Sequence, residues 1–196
     1  MKKNIFLTCL ICILTSCDVA QQLAGAYNLT QCKYAYNSIS GVTLAGIDLR
    51  NVSSLSSLNP LTLANLYTAF SSTSGSLPIS FTLNLDVSNP NTTTAAISGM
   101  AYMLQLEDVE LTQGTLSQSF QVGPGAKTGL PISMAFDLKK VMSGKSADAI
   151  KNLALGIAGF GGGQETKITI HLKPSFLVGS QVVSSPSYIP VSFTLK

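Results

Sequence analysis

The feature that most restricts this chain is the run at residues 79–87, ISFTLNLDV, in which Ile79, Phe81, Leu83, Leu85 and Val87 are apolar while Ser80, Thr82, Asn84 and Asp86 are polar. Nine residues of unbroken period two place every apolar side chain on one face of an extended strand and every polar one on the other. A helix would scatter both classes around its axis, so the run demands a sheet with one dry face and one wet face. It stops at Ser88-Asn89-Pro90-Asn91. There Pro90 removes a ladder donor and the Asn side chains can bond their own backbone, which is turn chemistry.

Shorter versions of the pattern surround this run. Tyr34 and Tyr36, Val42 and Leu44, then Ile47 and Leu49 alternate with breaks at Ser40-Gly41 and Ala45-Gly46. Such breaks mark one long strand or two short ones with kinks, at a sheet edge or corner. Tyr102, Leu104 and Leu106 alternate, and Val109 and Leu111 continue that strand or begin the next. Thr112-Gln113-Gly114-Thr115 reads as a turn, and Leu116, Phe120 and Val122 mark a strand ended by Gly123-Pro124-Gly125. Leu130 to Leu138, Ile168 to Leu172 and Ile189 to Leu195 complete the set, and the last two are expected to pair.

Two segments break from period two. Asn59-Pro60 is a helix start followed by Leu63, Leu66, Tyr67 and Phe70 at spacings of three and four. Residues 139–155 form a second helical segment, which Gly144 delays to near Ser146. Short strands at regular intervals predict a mainly β chain, an antiparallel sandwich with one or two short accessory helices.

The 196 residues suffice for one domain with a real core. Charged residues make up only 11%, with 16 Gly and no Trp, and the formal net charge is +3. No basic surface is implied, so nucleic acid is not an expected partner.

The N-terminus reads MKKN, IFLTCLICIL, TSC. Two lysines before a short apolar run have the form of a secretory signal, and the run is too short to span a bilayer. Leu14-Thr15-Ser16-Cys17 resembles the bacterial lipobox. That resemblance implies cleavage before Cys17 and acylation of its thiol and amine, an anchor to the membrane of the cell envelope. Asp18 resembles an inner-membrane retention signal of enteric bacteria, but lineages differ, so inner and outer membrane both stay open.

The expected division is a lipoprotein signal over 1–16, lipidated Cys17 and a tether over 17–31, and one domain over 32–196. With Cys9 and Cys12 discarded and Cys17 acylated, Cys32 is the sole thiol of the mature chain. It excludes internal disulfides and multi-cysteine zinc sites, and reads as a small buried residue at the start of a strand.

Catalytic signals are weak. His171, the one histidine, falls with Thr169 and Lys173 on the polar face of its strand, and no Gly-X-Ser-X-Gly elbow accompanies it. Glu107, Asp108 and Glu110 are the densest carboxylates and read as a solvated turn rather than a calcium loop. The glycines at 156–161 follow a helix and precede a strand, the reverse of a nucleotide loop, and those at 41 and 46 lack the Lys-Ser/Thr of a phosphate loop. No enzyme, cofactor or metal site is expected.

An alternating strand ending in Asn89-Pro90-Asn91, the strand Tyr102-Met103-Leu104, Gly114, a Gly-Pro-Gly turn and the strand Leu130 to Leu138 together resemble the LEA type 2 domain, also called the water-stress and hypersensitive response domain. The resemblance covers about 60 residues closely and implies a fibronectin-III-like or immunoglobulin-like sandwich. It also implies a structural role for Asn89, Pro90 and Asn91, no catalytic residues, and a place in stress protection. Two functions follow as expectations: a non-enzymatic envelope lipoprotein binding a protein or glycan partner, or a module handling lipid or another apolar ligand.

Overall fold

The computed structural model describes residues 24–25, 27–72, 75–107, 109–160, 165–178 and 181–195, with backbone alone at 147, 177 and 178. Strand β3 (Pro78–Ser88) holds the alternating run, and its buried pattern is the one read from the sequence. Leu83, Leu85 and Val87 are fully buried, and Ile79 and Phe81 nearly so. At about 1.5–3 kcal/mol for each large apolar side chain, this one strand carries a substantial part of the core.

Strand β3 lies between β1 (Lys33–Leu44) and β8 (Lys127–Asp137), antiparallel to both, and β2 (Ile47–Asp48) extends the β1 edge. The β1–β2 turn places Ala45 and Gly46 both at positive φ, as a two-residue hairpin connection of the primed type requires. Bulges interrupt β1 near Gly41, where the sequence broke phase, and near Asn37, where it showed no break.

The second sheet is built on β9 (Thr166–Val178). Along one edge of β9 run β5 (Gly99–Leu106) and then β6 (Val109–Leu116). Along the other edge β11 (Ile189–Leu195) and β10 (Gln181–Ser184) pair with successive parts of β9. Strand pairing between residues 166–172 and 189–195 is as expected. A two-stranded sheet of β4 (Ala95–Ile97) and β7 (Phe120–Val122) closes one end.

The two large sheets face each other over a shared core. Tyr36 of β1 stacks on Phe193 of β11 with ring centroids 4.5 Å apart, joining the sheets along one side. On the other side the Tyr102 hydroxyl of β5 donates to the Ser133 carbonyl of β8. The mainly β, antiparallel sandwich is therefore present.

Two details differ from the sequence reading. Residues 112–115 are not a turn: β6 runs straight through them, and the chain reverses at Glu107, a non-glycine residue at φ +51°. Gly114 serves Tyr102 instead, because a Cβ there would lie 2.5 Å from the tyrosine hydroxyl. Leu116 ends β6, and Phe120 belongs to the separate β7.

Helix α1 (Pro60–Ser71) starts where Asn59-Pro60 placed it, the Asn59 side chain accepting from Thr62 N. Of its expected inward face only Leu66 is buried; Tyr67 and Leu63 are exposed, because a single helical row meets the sandwich end. The second helical segment divides into α2 (Leu138–Val141) and α3 (Ala147–Ala158), separated at Gly144 (φ +83°), and Ser146 caps α3.

Asp137 joins these parts. Its carboxylate accepts from the backbone N–H of Leu77, Lys139 and Lys140 and from the Ser76 hydroxyl, capping α2 and fixing the approach to β3. Burial raises its pKa, but the Ser76 and backbone bonds outweigh this and hold it below the usual carboxylate range. A depressed folded-state pKa gives stability that is present above the unfolded value of about 3.9 and is lost as pH falls through the folded value. Asp137→Ala should cost about 1–2 kcal/mol at neutral pH. Asp137→Asn should retain part of the cap and flatten the stability loss below pH ~4. Urea midpoints measured against pH check both, and an unchanged acid limb in Asp137→Asn would refute the assignment.

Candidate functional site: an asparagine-bonded pole

The Asn-Pro-Asn turn lies at the end of β3 remote from α1. Asn89 is 2% exposed, one of the few buried polar residues. Its Nδ2 faces three carbonyls: Thr93 at 2.9 Å, Val122 at 2.9 Å and Gly123 at 3.1 Å. Two hydrogens serve three acceptors, so one is shared. Its Oδ1 accepts from the backbone N–H of Asn91 at 3.0 Å and from Asn91 Nδ2 at 2.8 Å, and its own N–H donates to Ala126. One side chain thus ties the end of β3 to β7 and the Gly123-Pro124-Gly125 turn. Pro90, between Asn89 and Asn91, is exposed.

Asn91 reaches further. Its Nδ2 also donates to the Asn28 carbonyl at 3.0 Å, and Asn28 Nδ2 donates to Thr93 Oγ1 at 2.6 Å and to the Thr94 carbonyl at 3.3 Å. Beneath them Leu29 is fully buried, its carbonyl accepting from the Tyr34 hydroxyl. A Cβ on Gly25 would lie in van der Waals contact with Ala96. Residues 27–30 are helical. Within the stretch read as a tether over 17–31, Asn28 belongs to the motif and Leu29 to the core, so these two residues pack with the domain expected from residue 32. Asn28 and Thr93 were missed because no periodicity marks them, and Asn28 meets Asn91 and Thr93 only through the fold.

The same pole carries the β9–β10 ribbon. Ser98, directly after β4, donates through both N and Oγ to the Ser175 carbonyl. Beyond Ser175 β9 has lost its β5 partner and pairs with β10 alone. Every residue of β10 is exposed, Val182 at 68%. A groove of about 470 Å³ runs across the outer sheet face there, lined by Val182, Ser184, Ser175, Gly99, Ala101 and Thr115 among others. Gly99 is tightly packed there: a Cβ would press on the Leu116 carbonyl at 3.0 Å and the Ser175 hydroxyl at 3.1 Å.

At the β3 side of this pole Lys127 pairs with Asp86 at 2.7 Å. That bond, and a second from Asn37, lower the Asp86 pKa.

Other candidate groups do not converge. His171 bonds Gln105 Oε1 at 2.9 Å, with Tyr188 edge-on to its ring and Lys173 over the Tyr188 ring, on the outer sheet face as expected. Cys32 is buried before β1, and burial raises its pKa, so its thiol stays protonated at neutral pH. Glu107 and Glu110 are exposed, and Asp108 lies outside the described residues. Among the described residues no three His, Cys, Asp or Glu side chains cluster as metal ligands. A second groove, of about 350 Å³ beneath α1, is lined by Ala45, Ile47, Thr62, Asn65, Ala69 and Pro78 among others, a set without a titratable group. Cys17 lies outside the described residues, and no described helix is long and apolar enough to cross a membrane.

A search of curated proteins gives no match. Solved structures similar to the chain include a crystal structure from Archaeoglobus fulgidus, 16% identical over 83% of this chain and 98% of that one, with a TM-score of 0.36. Another is a solution structure from Arabidopsis thaliana, 12% identical over 60% of this chain and 70% of that one, at 0.37. A third, the solution structure of a protein described as late embryogenesis abundant, is 13% identical over 99% of this chain and 83% of that one, at 0.36. The family model for late embryogenesis abundant proteins of the LEA_2 class matches residues 84–186, which runs from the second half of β3 past β10 and takes in the asparagine motif. The chain belongs to the LEA_2 family of late embryogenesis abundant proteins.

Proposed function

We propose that this protein is a stress-related module of the bacterial cell envelope, anchored through acyl chains on Cys17 and acting without catalysis by binding a protein or glycan partner. The observation that supports the anchor is the sequence Leu14-Thr15-Ser16-Cys17 at the end of a short apolar run behind two lysines, and the asparagine motif, which fastens Asn28 to the fold, sets where the anchored chain would leave it. A lipidated Cys17 would stand only seven residues before Ala24, so the domain sits close to its membrane with one pole fixed toward it. At about 0.8 kcal/mol per buried methylene, two or three acyl chains hold such a domain stably. Family membership supports the stress-related reading. Among the described residues the grooves at both poles are lined without titratable groups, which supports action by contact rather than by reaction.

The test is expression in a bacterium with lipoprotein processing, followed by intact mass and membrane flotation. Wild-type chain should start at Cys17, carry acyl mass and float with membranes. Cys17→Ala should lose the acyl mass and appear in the soluble fraction. Wild-type protein recovered soluble and unacylated would overturn the anchor.

A further inference from the structure

We infer that the β9–β10 ribbon is a second membrane contact, dipping into the interfacial layer of the bilayer that holds Cys17; this rests on the lipid-anchor reading above. Three observations carry it. The first is composition: from Pro174 to Leu195 the sequence holds no Asp, Glu, Lys, Arg or His, 22 consecutive residues without a charge in a chain that is 11% charged. Charges are what an interfacial segment must keep out of the acyl boundary.

The second is exposure. Val182 is 68% exposed and Val183 38%, on opposite sides of a strand with no burial of its own. In the two large sheets the other outer strands carry a guard against unwanted contact: Pro131 in β8, Pro190 in β11, a bulge between β5 and β6, two bulges in β1. Strand β10 has no proline, no bulge and no charge. From Ser175, where β5 ends, to Val178 the strand rises roughly 10 Å, which matches the depth at which interfacial segments lie.

The third is position. Gly25 packs on Ala96, and two residues later Ser98 is bonded to Ser175 at the base of the ribbon. The chain coming from Cys17 and the exposed valines therefore share one pole. The seven steps from Cys17 to Ala24 reach at most about 25 Å, so the anchor holds that pole against the bilayer and the α1 end away from it. Below the valines Tyr188, 44% exposed, carries Lys173 over its ring, an aromatic and a cation at the height where headgroups would lie.

The chain contains no tryptophan, so single tryptophans report position without background. Acylated full-length protein carrying Val182→Trp, Val183→Trp or, at the far end, Leu61→Trp is reconstituted into phosphatidylcholine–phosphatidylglycerol vesicles with brominated acyl chains. Leu61 is 72% exposed and serves as the control. The expected result is blue-shifted, bromine-quenched emission at 182 and 183, with neither effect at 61. Acylated, floating protein whose tryptophans at 182 and 183 match that at 61 overturns the ribbon contact and leaves the anchor standing. A blue shift that grows with protein concentration and is not quenched by bromine assigns the ribbon to a second copy of the chain, and also overturns it. A chain whose mass shows no acyl group overturns the anchor, and the ribbon contact with it.

Discussion

Asn89→Ala is expected to lower folding stability by about 3–5 kcal/mol, at the upper end of what single substitutions do. The size follows from what remains behind. Removing the carboxamide takes the side-chain donor from the carbonyls of Thr93 and Val122 and the acceptor from the Asn91 N–H, while the Gly123 carbonyl keeps the Ala126 N–H and Asn91 Nδ2 keeps the Asn28 carbonyl. Each stranded buried polar group costs about 1–3 kcal/mol, reduced where water reaches the turn. Asn89→Asp should be at least as damaging, since a carboxylate cannot donate to three carbonyls and would be buried beside them. Denaturant midpoints at constant slope measure both; a loss below about 1 kcal/mol would show that the turn stands without this side chain.

The second large effect is at Gly114. A Cβ there would meet the Tyr102 hydroxyl at 2.5 Å and Cζ at 2.7 Å. The ring cannot swing aside without losing the bond to the Ser133 carbonyl and the burial of a side chain only 9% exposed. Gly114→Ala should cost about 2–3 kcal/mol, and Gly114→Val more. In a Tyr102→Leu background the obstruction is gone, and the same Ala should be neutral or slightly stabilising, because glycine weakens a strand interior. A double-mutant cycle reads this directly. Additive losses would mean that Gly114 is needed for its backbone and not for the space it leaves.

These two sites show what the sequence could and could not disclose. Strand β3 was legible residue by residue, because period two over nine positions has a single interpretation. The caps at Asn59 and Ser146 were legible too, since capping is decided within four residues. Gly114 misled because a glycine among Thr and Gln has the composition of a turn, whereas its reason is a tyrosine twelve positions earlier on the neighbouring strand. The exposed face of α1 misled because spacing shows that an apolar row exists, not how much of it meets the sheet. The asparagine pole was half legible. Asn89-Pro90-Asn91 announced a turn, but the partner at Asn28 lies more than sixty residues away, and nothing local marks residues 27–30 as part of the domain.

The stacking of Tyr36 on Phe193 bears on how the molecule is made. One ring lies near the start of the first strand and the other two residues before the end of the last. Strand β3 likewise waits for β8, whose partner residues emerge roughly forty to sixty positions later. A chain threaded outward from its N-terminus therefore cannot latch until its final segment has emerged, and non-local pairing of this kind is slow. Throughout that interval the alternating strand is uncovered.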